Sequence, residues 1–202
     1  MLEQKEVYRQ IFKATSIFGG VQVYNIIVGI IRAKVIAILL GPTGVGIISL
    51  FTSTIQLLNQ ATGFGVEQSG VRDIAEAYGT QDEKRISITF TVVRKIIWFT
   101  GLLGAIVCII FAGSLSELTF GTSAHRWSFV ILSGVILLTQ LGNGQSMLLR
   151  GTRRIKELAK SSMLGATLGL LTSIPLYYFY GVKGIVPSLF LSSVFICSIY
   201  WL

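Results

Sequence analysis

Residues 16–77 read SIFGGVQVYNIIVGIIRAKVIAILLGPTGVGIISLFTSTIQLLNQATGFGVEQSGVRDIAEA. They divide into two apolar runs joined by the turn Gly41-Pro42-Thr43-Gly44-Val45-Gly46. Each run holds the ~20 mostly apolar residues that a helix needs to cross the hydrocarbon core of a bilayer. Neither run is purely apolar. The first carries Gln22, Asn25, Gly29 and Arg32, and the second carries Ser49, Ser53, Gln56, Gln60, Gly63 and Glu67. At about 100° per residue, each set gathers on one side of its helix. Hydrocarbon cannot satisfy such a stripe, so it must face protein or a water-filled cavity. Two stripes on neighbouring helices predict a hydrophilic pathway through the membrane.

Composition places the rest of the chain in the same phase. Hydrophobic residues make up 52% of 202 positions and charged residues 13%, against about 25% charged in a soluble domain. Mean hydropathy is +0.72. The expected fold class is all-α, a polytopic membrane helix bundle. A net charge of +8 would suggest nucleic acid in a soluble protein. Here the basic residues stand mainly between apolar runs, and no basic helix or aromatic platform lies outside the membrane to take nucleic acid. Cys108 and Cys197 fall inside apolar runs and read as small buried hydrophobes. His125 is the single histidine and stands apart from cysteines and carboxylate clusters, so no metal and no cofactor are expected. The glycine-rich turn after Leu40 follows no strand and lacks Lys-Ser/Thr, which rejects a phosphate loop. Nothing points to an enzyme.

Six spans are expected at about 16–40, 47–71, 88–113, 127–149, 161–180 and 185–202. They follow an amphipathic cytoplasmic arm over residues 1–15, where Glu3, Lys5, Glu6, Arg9 and Lys13 mix with Val7, Ile11 and Phe12. The connections on one side hold two basic residues, Arg126 and Lys183. The arm and the connections on the other side hold eleven: Lys5, Arg9, Lys13, Arg72, Lys84, Arg85, Arg150, Arg153, Arg154, Lys156 and Lys160. That imbalance places the N-terminus of a multi-pass membrane protein in the cytoplasm. Arg94 and Lys95 are expected to snorkel at the inner boundary.

Arg32 lies eight residues before Leu40, about 12 Å along a helix axis and well inside the hydrocarbon. An intramembrane cation costs at least about 2.5–3.5 kcal/mol on insertion scales. Arg32 shares its side with Gln22, Asn25 and Gly29, whereas Lys34 points about 160° away. Arg32 is therefore the anion-binding candidate, the alternative being a structural ion pair with Glu67. Gln56, Asn59 and Gln60 occupy adjacent turns of the second helix, where amides suit a sugar or a helix neighbour equally. Glu67 and Arg72 form a candidate gate pair, or else a surface salt bridge. Gln140, Asn143 and Gln145 extend the polar lining. Pro175 and Pro187 predict kinks, and Tyr177, Tyr178 and Tyr180 an outer aromatic belt.

The block from Arg32 to Gly46, then Gly63-Phe64-Gly65, then Ser69-Gly70-Val71-Arg72-Asp73-Ile74-Ala75-Glu76-Ala77, closely resembles the amino-terminal part of Wzx-type O-antigen translocases. These are lipid-linked oligosaccharide flippases of the polysaccharide-transporter branch of the MOP superfamily. Leu149-Arg150-Gly151-Thr152-Arg153-Arg154-Ile155, Ser173-Ile174-Pro175-Leu176-Tyr177-Tyr178 and Gly184-Ile185-Val186-Pro187 also resemble that family. The resemblance implies that residues 16–202 form the six-helix amino-terminal lobe of a MOP flippase, with the family's second lobe missing from this sequence. It implies undecaprenyl-diphosphate-linked O-antigen repeat units as substrate, moved from the cytoplasmic to the periplasmic leaflet by alternating access. It assigns Arg32 an anion-binding role, because a guanidinium grips a diphosphate through paired hydrogen bonds. The partners implied are a lipid-linked oligosaccharide, the phospholipid bilayer, and a polysaccharide polymerase with its chain-length regulator. Two other readings compete: a multidrug or cation exporter of the same superfamily, and a non-transport membrane scaffold for polysaccharide assembly.

Overall fold

The computed structural model describes residues 2–201, and the side chains of Ser16 and of residues 19–201. The chain is helical almost throughout, with no strand among the described residues. Among the described residues seven α-helices follow one another: α1 (Leu2–Gly63), α2 (Val66–Gly79), α3 (Glu83–Ile110), α4 (Ala112–Phe120), α5 (Arg126–Gly151), α6 (Ile155–Tyr180) and α7 (Ile185–Trp201). Among the described residues, four stretches are long and apolar enough to cross a membrane: Gly19–Gly63, Glu83–Ile110, Ser123–Gly151 and Ile155–Trp201. The amphipathic arm expected over residues 1–15 lies outside the residues whose side chains are described.

The six-residue turn expected at 41–46 contracts to one residue. Gly41 alone leaves helical geometry within α1, with φ 65° and ψ −172°, a conformation open to glycine and closed to side chains. Pro42 opens the second limb of α1, where its fixed φ suits a helix start and its missing N–H is not needed. That limb ends at Gly63, and left-handed Phe64 and Gly65 (φ 45° and 69°) turn the chain into α2. The expected span 47–71 is therefore helix over 42–63, a break, and a separate helix. Gly65 accepts from the Gln68 and Ser69 amides in place of a side-chain cap. Asp82 caps α3 by accepting from the Lys84 N–H at 3.0 Å. Gly121 and Gly181, at φ 69° and 54°, end α4 and α6.

The main core gathers near the Gly41 break. Ile36, Phe51, Ile55 and Leu58 of both limbs meet Cys108, Phe129, Leu132, Ile136, Tyr177 and Ile185 there, with Leu39, Leu40, Ile47 and Ile48 packed around them. A second, smaller cluster of Ile74, Val93, Ile97 and Met147 ties α2 to α3 and α5. Two sequence expectations change. Tyr177 is 1% exposed, its hydroxyl 2.8 Å from Ser188 Oγ, so the exposed aromatic belt is Tyr178, Phe179 and Tyr180. Pro187 sits in the first turn of α7, where backbone N–H groups have no intrahelical acceptor, so it interrupts nothing. Cys108 and Cys197 are both free and buried. Arg94 lies over the Trp201 ring at 5.4 Å, one exposed boundary side chain covering another.

Close packing of α3 depends on a missing side chain. A Cβ at Gly104 would lie 2.8 Å from Thr62 Oγ1 and 3.0 Å from Ile136 Cγ2, whereas one at Gly113 would meet nothing within 4 Å. Overpacking of this kind costs about 1–3 kcal/mol. Gly104→Ala is expected to lower the thermal midpoint of the detergent-solubilised chain by about 3–10 °C, and Gly113→Ala to leave it within about 1 °C. Equal midpoints for the two variants would contradict this packing.

Candidate functional site

Two cavities open in the half of the molecule distant from Gly41, and each takes one limb of α1 as a wall. The larger encloses about 1010 Å³. Gln56, Asn59, Gln60 and Gly63 line it from the second limb of α1, Glu67 and Gln68 from α2, Thr100 from α3, and Thr139, Gln140, Asn143 and Arg150 from α5. One of these amides is consumed by packing, since Gln140 Nε2 donates to the Asn59 carbonyl at 3.3 Å. Asn59 Oδ1 is buried and has no hydrogen-bond partner. Gln56 and Gln60 are exposed and Asn143 is half-buried, so their donors and acceptors remain free for water or a ligand.

The smaller cavity, about 310 Å³, lies between the first limb of α1 and the α6–α7 pair. Asn25, Gly29 and Arg32 form one side, and Ser161, Ser162, Gly165 and Tyr200 the other. Two contacts zip the limb to α6: Tyr24 Oη to Thr167 Oγ1 at 2.7 Å, and Asn25 Nδ2 donating to Ser162 Oγ at 3.0 Å. Asn25 Oδ1 is buried without a partner. Arg32 is half-buried and makes no ion pair among the described residues.

The parts of the two polar stripes that line these cavities therefore divide between them, while Ser49 and Ser53 line neither. Asn25 and Arg32 line the smaller and Gln56, Asn59, Gln60 and Glu67 the larger. Gln22 is exposed and lines neither of them. The Glu67–Arg72 gate pair gives way to another pairing, in which Arg150 Nη1 lies 3.4 Å from Glu67 Oε1. The reason is angular. Five residues along α2 turn Arg72 about 140° from Glu67, and helix neighbours are three or four apart. The same pairing removes Glu67 as the partner of Arg32.

Arg150 is the site residue that sequence reasoning missed, because it was counted with the basic connection that follows it. Its signal was present. Seven residues after Asn143, it returns to the same side of α5. Ser146 lies on that side too. Asn143 and Arg150 of this strip line the larger cavity, and Tyr200 lines the smaller.

A family described as "Polysaccharide biosynthesis protein" matches residues 35–202. Two curated proteins are similar: the lipid III flippase of Escherichia coli (strain K12) and that of Shigella flexneri. Each is 24% identical over 156 residues, covering 77% of this chain and 37% of the relative. No solved structure matches significantly.

The wet and dry faces can be told apart by thiol chemistry, because maleimides react with the hydrated thiolate. With Cys108 and Cys197 changed to Ala, Gln60→Cys and Asn143→Cys are expected to react with a membrane-impermeant maleimide in intact membranes. Ile106→Cys, on the exposed apolar side of α3, is expected to react at least tenfold more slowly. Equal rates at all three positions would remove the water from the larger cavity.

Proposed function

The chain belongs to the polysaccharide biosynthesis protein family, and from that premise we propose that it translocates undecaprenyl-diphosphate-linked O-antigen or related polysaccharide repeat units from the cytoplasmic to the periplasmic leaflet. The observation that carries this reading is the division of labour between the cavities. The larger presents free amides and hydroxyls in a volume at the top of the ~300–1,000 Å³ range of small-molecule sites, which suits sugar hydroxyls. The smaller presents Arg32 without an ion-pair partner among the described residues, which suits a diphosphate. In this assignment Asn25 holds the Arg32 limb in place, Gln56, Asn59 and Gln60 receive sugar, and Gln22 lies on the approach.

The membrane arrangement follows from lengths and charges. Residues 19–63 would extend about 68 Å as a straight helix, more than twice the ~30 Å hydrocarbon core. Residues 155–201 are longer still. If each folds back at its glycine break, Gly41 or Gly181, the chain crosses six times. The N-terminus and the basic connections then lie in the cytoplasm of a bacterial inner membrane. Exposed Arg153, Arg154, Lys156 and Lys160 stand beside the inner mouth, each worth about 1 kcal/mol toward an anionic surface. The matched stretch covers 37% of the curated relatives, so residues 16–202 act as one lobe of a transporter whose second lobe closes the cavities by rocking against the first. A polymerase and chain-length regulator would receive the product.

A cation exporter would require an uncompensated carboxylate in the cavity. Glu67, the acid that lines it, is already paired. A scaffold would need no free amides at all.

In the complete protein, Arg32→Ala is expected to reduce surface O-antigen at least tenfold at unchanged membrane abundance, measured by immunoblot. Arg32→Lys should retain part of the display, since ammonium keeps the charge and loses the paired hydrogen bonds. Normal display in Arg32→Ala would take Arg32 out of the mechanism. For topology, alkaline phosphatase fused after Thr122 is expected to be active, and fused after Gln81 inactive. The opposite pattern would invert the proposed direction of transport.

A further inference from the structure

We infer that Glu67 is a built-in competitor: it holds Arg150 until the phosphate group of a ligand crossing the larger cavity displaces it. This rests on the flippase reading and assigns that site a second anion-binding residue and a release device. Among the described residues lining the larger cavity, Glu67 and Arg150 are the charged ones, one of each sign. The cavity is therefore self-neutralised, and an anion can engage Arg150 only by exchange with Glu67.

The geometry makes that exchange easy. The pair is held by one contact at 3.4 Å, with the side chains 51% and 49% exposed. A charge-assisted bond of full strength lies near 2.7–2.9 Å and is often bidentate. Such an exposed single contact is worth less than about a fivefold change in an equilibrium. A diphosphate that offers paired oxygens to the fork outcompetes it.

Glu67 is nevertheless placed there by packing. It stands in the first turn of α2, and that helix is pressed on α5 where Gly70 faces Met147 and Gly151 faces Ile74. Ile74 is fully buried and Met147 nearly so, so α2 carries the carboxylate to a defined position. A competitor held in place recaptures Arg150 as soon as the ligand leaves.

The test is calorimetric titration of inorganic pyrophosphate into the 202-residue chain in lipid nanodiscs, in magnesium-free buffer at low salt. Arg150→Gln is expected to weaken binding at least tenfold. Glu67→Gln is expected to tighten it about twofold to fivefold, a gain that misfolding cannot produce. Combined with Arg150→Gln, the Glu67→Gln gain should vanish. Unchanged or weaker binding in Glu67→Gln overturns the competitor role, and unchanged binding in Arg150→Gln overturns the anion site. The two readings separate through Arg32. Loss of O-antigen display in Arg32→Ala with wild-type affinity in Glu67→Gln would sink this inference and leave the flippase reading standing. Normal display in Arg32→Ala with tighter binding in Glu67→Gln would take Arg32 out of the mechanism and leave the competitor role standing.

Discussion

Hydrocarbon offers no hydrogen-bond partner, and that constraint decides what each polar side chain of this bundle can be. Some are absorbed by their own helix. Thr54, Thr62, Thr89 and Ser198 return their hydroxyls to the carbonyl four residues back, so they mark no pathway. Others become joints between helices, as Tyr24 and Asn25 do with α6 and Gln140 does with the second limb of α1. Among the described residues with neither outlet are Gln56, Gln60, Asn143 and Arg32, joined by the loosely held Arg150, and all five line the cavities.

The position of the cavities follows from where the apolar residues were spent. Ile36, Leu39 and Leu40 before the Gly41 break, and Ile47, Phe51 and Ile55 after it, close the limbs around one core. Going away from that core, Asn25 and Arg32 turn toward α6 and α7, and Gln56 to Gly63 turn toward α3 and α5. The limbs cannot close again there without burying amides against each other or a guanidinium unpaired. Either would cost more than leaving the space wet. A single glycine at φ 65° thereby separates a dry end from a polar one.

Much of this was legible in the sequence, and the failures share one cause. Helix faces are set by 3.6-residue periodicity, so Asn25 with Arg32, and Gln56 with Asn59 and Gln60, were grouped correctly by angle. Segment positions followed from hydropathy, to within a few residues for α3, α5 and α6. What periodicity cannot supply is the rotation of one helix about its axis relative to another. The turn at Gly41 sets that rotation between the limbs, and it sends the stripes into separate cavities. The same gap hid the Glu67–Arg150 pair, whose members are 83 residues apart. Within α2 the misassigned Arg72 could have been rejected by angle alone, since five residues never share a face.

Separation of the stripes changes what the candidate site can do. One cavity combining Arg32, Glu67, Arg150 and the amides would hold its charges in mutual contact, and Glu67 would bind Arg32 as readily as Arg150. With the limbs splayed, Arg32 is beyond the reach of that carboxylate and keeps its full attraction for an anion. Arg150 is tempered by Glu67. In the proposed function the two cations are thus unequal, Arg32 without an ion pair among the described residues and Arg150 shared with Glu67. In the proposed function the inequality has a direct consequence. A lipid-linked diphosphate held by two equally strong guanidinium groups would bind tightly and leave slowly, which lowers turnover. One strong and one shared contact permits capture from a dilute membrane pool while leaving a route for release.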